Sequence, residues 1–223
     1  MTELARANVN NRYHVSEPFK EKKFYNIYKR TFDIFASILA LIILFPIFFI
    51  VAVLIKIEDP KGPVFFSQVR VGKNEKLFNM YKFRSMVTDA EDKLQELLKY
   101  NEVNGAMFKM KDDPRITKIG KFIRQTSIDE FPQLINVLKG EMSLIGPRPP
   151  LVREVEEYTI FDKQRLYIKP GCTGLWQVSG RSNLSFKEMV ELDLIYIEKR
   201  SFLFDLKIIL KTFVILLKKD GAF

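Results

Sequence analysis

Two long apolar runs stand out from an otherwise mixed pattern, and they set the plan of the chain. Residues 1–17 are polar and irregular and read as a flexible tail. Positive charge then gathers at Lys20, Lys22, Lys23, Lys29 and Arg30, ahead of IFASILALIILFPIFFIVAVLI, Ile34 to Ile55. These 22 residues carry no charge. As a straight helix they would span about 33 Å, enough to cross a bilayer. The run starts too deep and is too long for a cleavable signal peptide, and no small-residue cleavage site follows it. Its flanks assign no side, because residues 1–33 hold seven Lys/Arg and residues 56–84 hold seven more. Two readings stay open. One is a single-pass anchor with a mild kink. The other is a helix that Pro46 bends back, so that it enters and leaves by the same face.

After the anchor, DPKGP reads as a turn, VFFSQVRV as a strand, GKNE as a turn and KLFNMYKFR as a second strand, giving a hairpin. Lys82 and Arg84 lie two apart on that strand and share a face. Thr88 and Glu91 form a capping box that opens a helix through about Tyr100. Residues 101–115 read as loop, and ITKIGKFIRQT as a short basic helix. A Gly/Pro-rich loop, GPRPP, follows the next apolar stretch. Glu154 to Tyr167 is a predicted helix, and KPGCTGLWQVSGRSN a Gly-rich loop with a short strand inside it. The second long apolar run, residues 201–219, carries Lys207, Lys211 and Lys218 at spacings of four and seven. That spacing suits a helix lying in a membrane interface with its lysines reaching for head groups, and a terminal core helix with a solvated lysine stripe is the plainer alternative. The predicted fold is α/β: mostly helical, with a small β-hairpin and amphipathic interfacial helices. Its parts are a tail (1–17), a membrane-anchoring segment (18–57) and a globular domain (58–223) that includes the C-terminal interfacial helix.

Charge and composition narrow the chemistry. The net charge is +9, which points to an anionic partner: nucleic acid, anionic lipid or a phosphorylated substrate. A single cysteine, Cys172, rules out an intrachain disulfide and suits a reducing compartment. The one histidine, His14, lies in the polar tail. Histidine-based triads and zinc sites are therefore not expected, and neither GxxxxGK[ST] nor GxGxxG is present.

The acidic pair Asp129–Glu130 sits in RQTSIDEFPQLINVLKG. Pro132 lacks a backbone N–H and is tolerated only in a first helical turn, so the spacing predicts a helix start near Ile128 or Asp129. There the helix dipole favours negative charge, and Asp129 is expected to stay ionised. Ser127-x-x-Glu130 is itself a capping box, so a purely structural role stays open. Arg124, Lys121 and Lys118 precede the pair; Arg148 and Arg181 lie in Gly/Pro loops. Fixed cations around two carboxylates suit a phosphate ester, with a divalent metal to balance the acids.

With these residues in view, the chain resembles the bacterial sugar transferases, the monotopic polyprenyl-phosphate phosphoglycosyl transferases, in their minimal form. The resemblance runs from about Tyr28 to the C-terminus. It is carried by YKRTFDIFAS, GPVFFSQVRVG, MYKFRSM, SIDEFPQLINVLKGEMSLIGPRP, KPGCTGLWQVSGRSN and ELDLIYIEKRSFLFDLKIILKT. It implies that Asp129 is the nucleophile toward a UDP-sugar, releasing UMP and leaving a phosphosugar that undecaprenyl phosphate then accepts. It implies Glu130 as base or positioning group and Mg²⁺ at Asp129 and the diphosphate. Lys82, Arg84, Arg148 and Arg181 would hold phosphate and nucleotide. Lys29 and Arg30 would sit near the lipid phosphate, with Asp193 as their ionic partner. It favours the re-entrant helix, broken at a Ser-Pro pair that reads Phe45-Pro46 here. It also implies membrane lipids as partners, no nucleic acid, and a place on the cytoplasmic face of the bacterial inner membrane, and it leaves open downstream glycosyltransferases and an oligomer as further partners. Cys172 stands where an aliphatic residue is more usual and reads as a small buried apolar side chain. The rival function is a membrane-tethered protein that binds anionic lipid or nucleic acid without catalysis.

Overall fold

A computed structural model describes residues 22–100, 110, 112–180 and 184–218. The expected tail and Arg181 lie outside the described residues. The first element, α1 (Lys23–Glu58), is one helix of 36 residues that keeps its helical assignment through Pro46. It is long and apolar enough to cross a membrane, and it is mostly unburied. Its inward stripe runs through Asp33, Ser37, Val51 and Ile55, all buried. Phe35, Ile42, Phe45, Phe49 and Ile57 face outward. A helix this apolar on its exposed side needs a non-aqueous surround.

Both ends of α1 are seated on the same globular part. At the start, the Lys22 ammonium donates to the Glu198 and Arg200 carbonyls, at 2.9 Å each. The Arg30 guanidinium donates to the Val137 and Leu138 carbonyls at 2.6 and 2.7 Å. At the far end, Val51 and Ile55 pack with Phe83 and Ile123, and Glu58 accepts from the Lys118 and Ile119 amides at 2.8 and 3.2 Å.

The hairpin forms as its pattern requires. Strands β1 (Phe65–Val71) and β2 (Leu77–Phe83) pair antiparallel, with Phe65 opposite Phe83 and Val71 opposite Leu77. Helix α2 (Ala90–Leu97) follows. Helix α3 (Lys118–Gln125) is capped by Thr117, whose side chain accepts from the Gly120 amide. After a short 3₁₀ turn, Ile128–Glu130, comes α4 (Gln133–Lys139), closed by Gly140 at φ +81°, a conformation that favours glycine. Arg30 places its charge at this helix C-terminus, where cations are favoured.

A second sheet is not legible in the local pattern. Strands β3 (Ser143–Ile145) and β4 (Gly171–Thr173) pair in parallel. A Cβ on Gly171 would stand 2.0 Å from the Gly146 amide nitrogen, so only glycine lets the two backbones close. The helix expected over Glu154–Tyr167 is three pieces: α5 (Val152–Glu156), α6 (Ile160–Lys163) and a 3₁₀ turn at Gln164–Tyr167. The cause is a capping box at Thr159 and Asp162, which starts a new helix. Helix α7 (Phe186–Lys199) opens on a box between Ser185 and Glu188, and α8 (Phe202–Lys218) closes the described chain. The core lies between α7, α8, β3 and the turn at Trp176–Val178, around Ile145, Val190, Leu194, Ile197 and Ile208. On α8, Lys207 and Lys211 are exposed beside Leu203, Leu210 and Phe213, the mixed surface expected of an interfacial helix.

Candidate active site

The acidic pair stands in the 3₁₀ turn Ile128–Glu130. Ser127, just before it, is held at φ +55° and its side chain makes no capping bond. This corrects the expected capping box: the α-helix begins only at Gln133, with Pro132 at its N-cap. A non-glycine residue in the left-handed region is strained, and such strain collects at functional turns. Apolar packing fixes the turn. Ile128 packs into the cluster of Val51, Ile55, Phe83 and Ile123, and the Phe48 ring of α1 lies 5.0 Å from Phe83 and 6.5 Å from Phe131. The long apolar helix thus buttresses both the turn that carries the acids and the strand carrying Lys82.

Lys82 is shared by the two carboxylates. Its ammonium donates to Glu130 Oε1 at 2.7 Å and stands 3.9 Å from Asp129 Oδ2. Asp129 is only 6% exposed, and burial pushes its carboxyl up to about 6 against the pull of Lys82. This corrects the expectation of an acid held down by a helix N-terminus: a three-residue turn supplies little dipole, and desolvation wins. The carboxyl is still mostly ionised at pH 7. Burial also works against charge on Glu130, but Lys82, Arg148 and Arg70 together hold it below the usual range. The two acids are thereby set apart, one easily protonated and one firmly charged.

The cations divide into free and engaged. Arg148 is exposed, lines the same cavity as the acids and has no hydrogen-bond or ion-pair partner among the described residues. Its loop is pinned on two sides. The Val71 amide donates to the Pro150 carbonyl and the Arg70 guanidinium to the Pro149 carbonyl, each at 3.0 Å. The Gly171 amide donates to the Pro147 carbonyl at 2.9 Å. Arg84 is buried and already paired with Asp59 at 2.8 Å, so it shapes the cavity wall and offers little free charge. Lys29 pairs with Asp205 at 2.8 Å, and Arg30 is spent on the α4 carbonyls. Asp193 does not meet either of them. It is fully buried and pairs with Arg165 at 2.5 Å, which corrects the expected ionic partner.

Sequence reading missed Arg70 and Arg153, which line the cavity with Arg148. Burial first, and then the nearby Arg148, lowers Arg70 to about 10. The strand alternation around Arg70 was the available signal. Arg124, noted beside the acids, donates to Ser85 Oγ at 2.9 Å and feels the charge of Asp129. Lys121 lines the cavity, whereas Lys118 is exposed outside it. Cys172 is half-buried against Phe78, Met80, Val137 and Met142 and also reaches the cavity wall.

The cavity holds about 2410 Å³, larger than one small-molecule site needs. It contains Asp129, Glu130, Lys82 and Arg148 and extends along α1 past Ala36, Ala40 and Leu44. Two adjacent acids amid arginines, opening onto an apolar anchor, suit a phosphate-bearing substrate and a lipid.

The family model of the bacterial sugar transferases matches residues 24–219. The chain belongs to that family. It is 53% identical over 207 residues to the galactosyl transferase CpsE of Streptococcus agalactiae serotype III, covering 90% of this chain and 45% of that protein. It is 46% identical over 199 residues to the undecaprenyl-phosphate galactose phosphotransferase of Salmonella typhimurium, covering 87% and 41%. It is 41% identical over 201 residues to the exopolysaccharide production protein ExoY of Sinorhizobium fredii, covering 88% of each. The chain thus spans less than half the length of the first two relatives and most of the third.

Proposed function

We propose that this sugar transferase moves a sugar 1-phosphate from a UDP-sugar to undecaprenyl phosphate, giving the lipid diphosphate sugar and UMP. The supporting observation is the cavity: a buried, ionisable Asp129 beside a charged Glu130, faced by Lys82 and Arg148, with one end running along the apolar helix. The relatives named as undecaprenyl-phosphate phosphotransferases support the same chemistry.

In this reading the Asp129 carboxylate attacks the sugar-bearing phosphorus, and the bond from that phosphorus to the UMP oxygen breaks. A lipid phosphate oxygen then attacks the same phosphorus, the aspartyl–phosphate bond breaks, and the carboxylate returns. Lys82 and Arg148 offset charge on the phosphate oxygens, and Glu130 accepts a proton from the lipid phosphate or positions it. The donor set fits a magnesium ion only with help from substrate. Among the described residues no group of three or more His, Cys, Asp or Glu could hold a metal ion, but two carboxylates completed by phosphate oxygens and water are a usual magnesium site. Asp129 and Glu130 would hold the ion, which would neutralise diphosphate charge.

The topology follows the same reading. The contacts at both ends of α1 with one globular part support a helix that enters and leaves by the same membrane face, with α8 in the interface. The catalytic part sits at the cytoplasmic face of the inner membrane, where it hands its product to later glycosyltransferases. The test is UMP release from a panel of UDP-sugars with undecaprenyl phosphate and Mg²⁺. One donor should support turnover, and Asp129→Asn should lower it by about 10³-fold or more. Near-normal turnover by that variant would overturn the covalent role.

A further inference from the structure

The cavity is longer than the transfer chemistry requires, and its far arm is built differently from its near one. Near Asp129 the walls are charged. The apolar part of the lining is Phe32, Ala36, Ala40 and Leu44 on α1, with Ile209 and Phe213 on α8. The α1 residues recur every four positions and form one stripe on the helix. Within a run of leucine, isoleucine and phenylalanine, this stripe carries alanine at two consecutive turns, which hollows it. Helices α1 and α8 touch at one end of this arm, where the Tyr28 and Phe202 rings are 4.8 Å apart and the Phe32 and Phe202 rings 6.2 Å apart. The floor carries a polar tie, Thr173 Oγ1 to Thr212 Oγ1 at 2.9 Å, next in sequence to Cys172, whose thiol feels the charge of Glu130. The outer face of α1 is exposed and apolar, with Ile42 67% exposed, and that of α8 is mixed, with Leu210 58% exposed beside Lys207 and Lys211. The apolar lining thus lies between the long apolar helix and the helix read as interfacial, in the same cavity as the acids.

We propose that this arm is the seat of the acceptor's hydrocarbon tail: a single apolar chain lies between α1 and α8, over Ala36 and Ala40, with its phosphate delivered to Lys82 and the acidic pair. The proposal rests on the transfer reading for the identity of the head group. The occupant is argued from continuity, since one cavity joins the charged end to the apolar end. A chain tethered at a phosphate suits both ends at once, whereas a free apolar ligand would have nothing to place among the charged residues Lys82, Arg148, Asp129 and Glu130. The two alanines set the width, and a large side chain at either would fill the space a tail needs.

The test uses the full chain in nanodiscs with polyprenyl phosphates of increasing isoprene number. Wild type should show kcat/KM rising with tail length. Ala36→Phe and Ala40→Phe should each lower kcat/KM for long acceptors by about tenfold or more, through KM, and flatten the length dependence. Ile42→Phe, on the lipid-facing side, should behave as wild type. Length dependence unchanged in both alanine variants would overturn the proposal. A second measurement covers misfolding: a polyprenyl phosphate with a photoreactive group on its tail should cross-link wild type within residues 32–44 and 209–213, and labelling confined elsewhere overturns the seat. Isotope exchange between UMP and UDP-sugar without acceptor is run alongside. Its absence in wild type counts against the transfer mechanism, while the cross-linking map still decides the groove.

Discussion

Lys82 should control the pH at which the enzyme switches on. In the proposed mechanism Asp129 attacks as a carboxylate, and its carboxyl is pushed up to about 6, so activity should fall as the pH drops through that value. Lys82 is the nearest cation, 3.9 Å from Asp129 and 2.7 Å from Glu130, and its side chain is 20% exposed. Two unit charges near 4 Å attract by about 4 kcal/mol at an effective dielectric of 20, and by about 1 kcal/mol in water. A partly exposed pair lies between these limits. Lys82→Met removes that attraction and makes the ionised acid harder to form. The acid limb of kcat/KM should then move up by about 1 to 3 pH units. The limb belongs to the coupled pair of acids, not to Asp129 alone. Lys82→Arg should keep the limb near its original place. The assay is UMP release across pH 5 to 9 at fixed ionic strength. The variant should recover activity toward alkaline pH relative to its own rate at neutrality. A limb that stays put or moves down in Lys82→Met would refute the assignment of Lys82 as the group that keeps Asp129 ionised, whatever the overall loss of rate.

Three further outcomes follow from the packing. Asp193→Ala leaves the Arg165 guanidinium buried and uncompensated and should cost about 3–5 kcal/mol, read as a lower denaturant midpoint, whereas an apolar replacement of both partners should restore much of it. Gly171→Ala forces a Cβ into the Gly146 backbone at 2.0 Å; it should cost about 1–3 kcal/mol or more, and, by loosening the Arg148 loop, raise the KM for the UDP-sugar. Arg148→Ala removes an exposed guanidinium that has no hydrogen-bond or ion-pair partner among the described residues, so it should weaken turnover while leaving the melting temperature nearly unchanged.

The elements with strong local patterns are legible in the sequence. The uncharged run gave α1, alternation around GKNE gave the hairpin, and the spacing around Thr117 gave α3. The candidate site was legible as a set of residue types: Asp129, Glu130, Lys82 and Arg148 do meet in one cavity. What local pattern could not show was pairing across the chain. Lys29 finds Asp205 and Asp193 finds Arg165 because helices distant in sequence cross, and no spacing rule reports that. The β3–β4 pair is only three residues a side, too short for periodicity to register. What acts on the Asp129 carboxyl was misread for a related reason: a local dipole was expected to favour its charge, and burial opposes it. The dipole argument is local and visible in sequence, while burial by Phe48, Ile128 and their neighbours is tertiary, and burial is the larger effect.

The covalent role of Asp129 is tested most directly by intact-protein mass measurement after mixing the chain with its UDP-sugar and Mg²⁺ in the absence of lipid acceptor. The account predicts an added mass equal to one sugar phosphate, located on Asp129, lost in Asp129→Asn and discharged when undecaprenyl phosphate is added. Steady turnover in the full reaction with no adduct, and with no exchange of labelled UMP into UDP-sugar, would contradict it and require direct transfer between the two bound substrates.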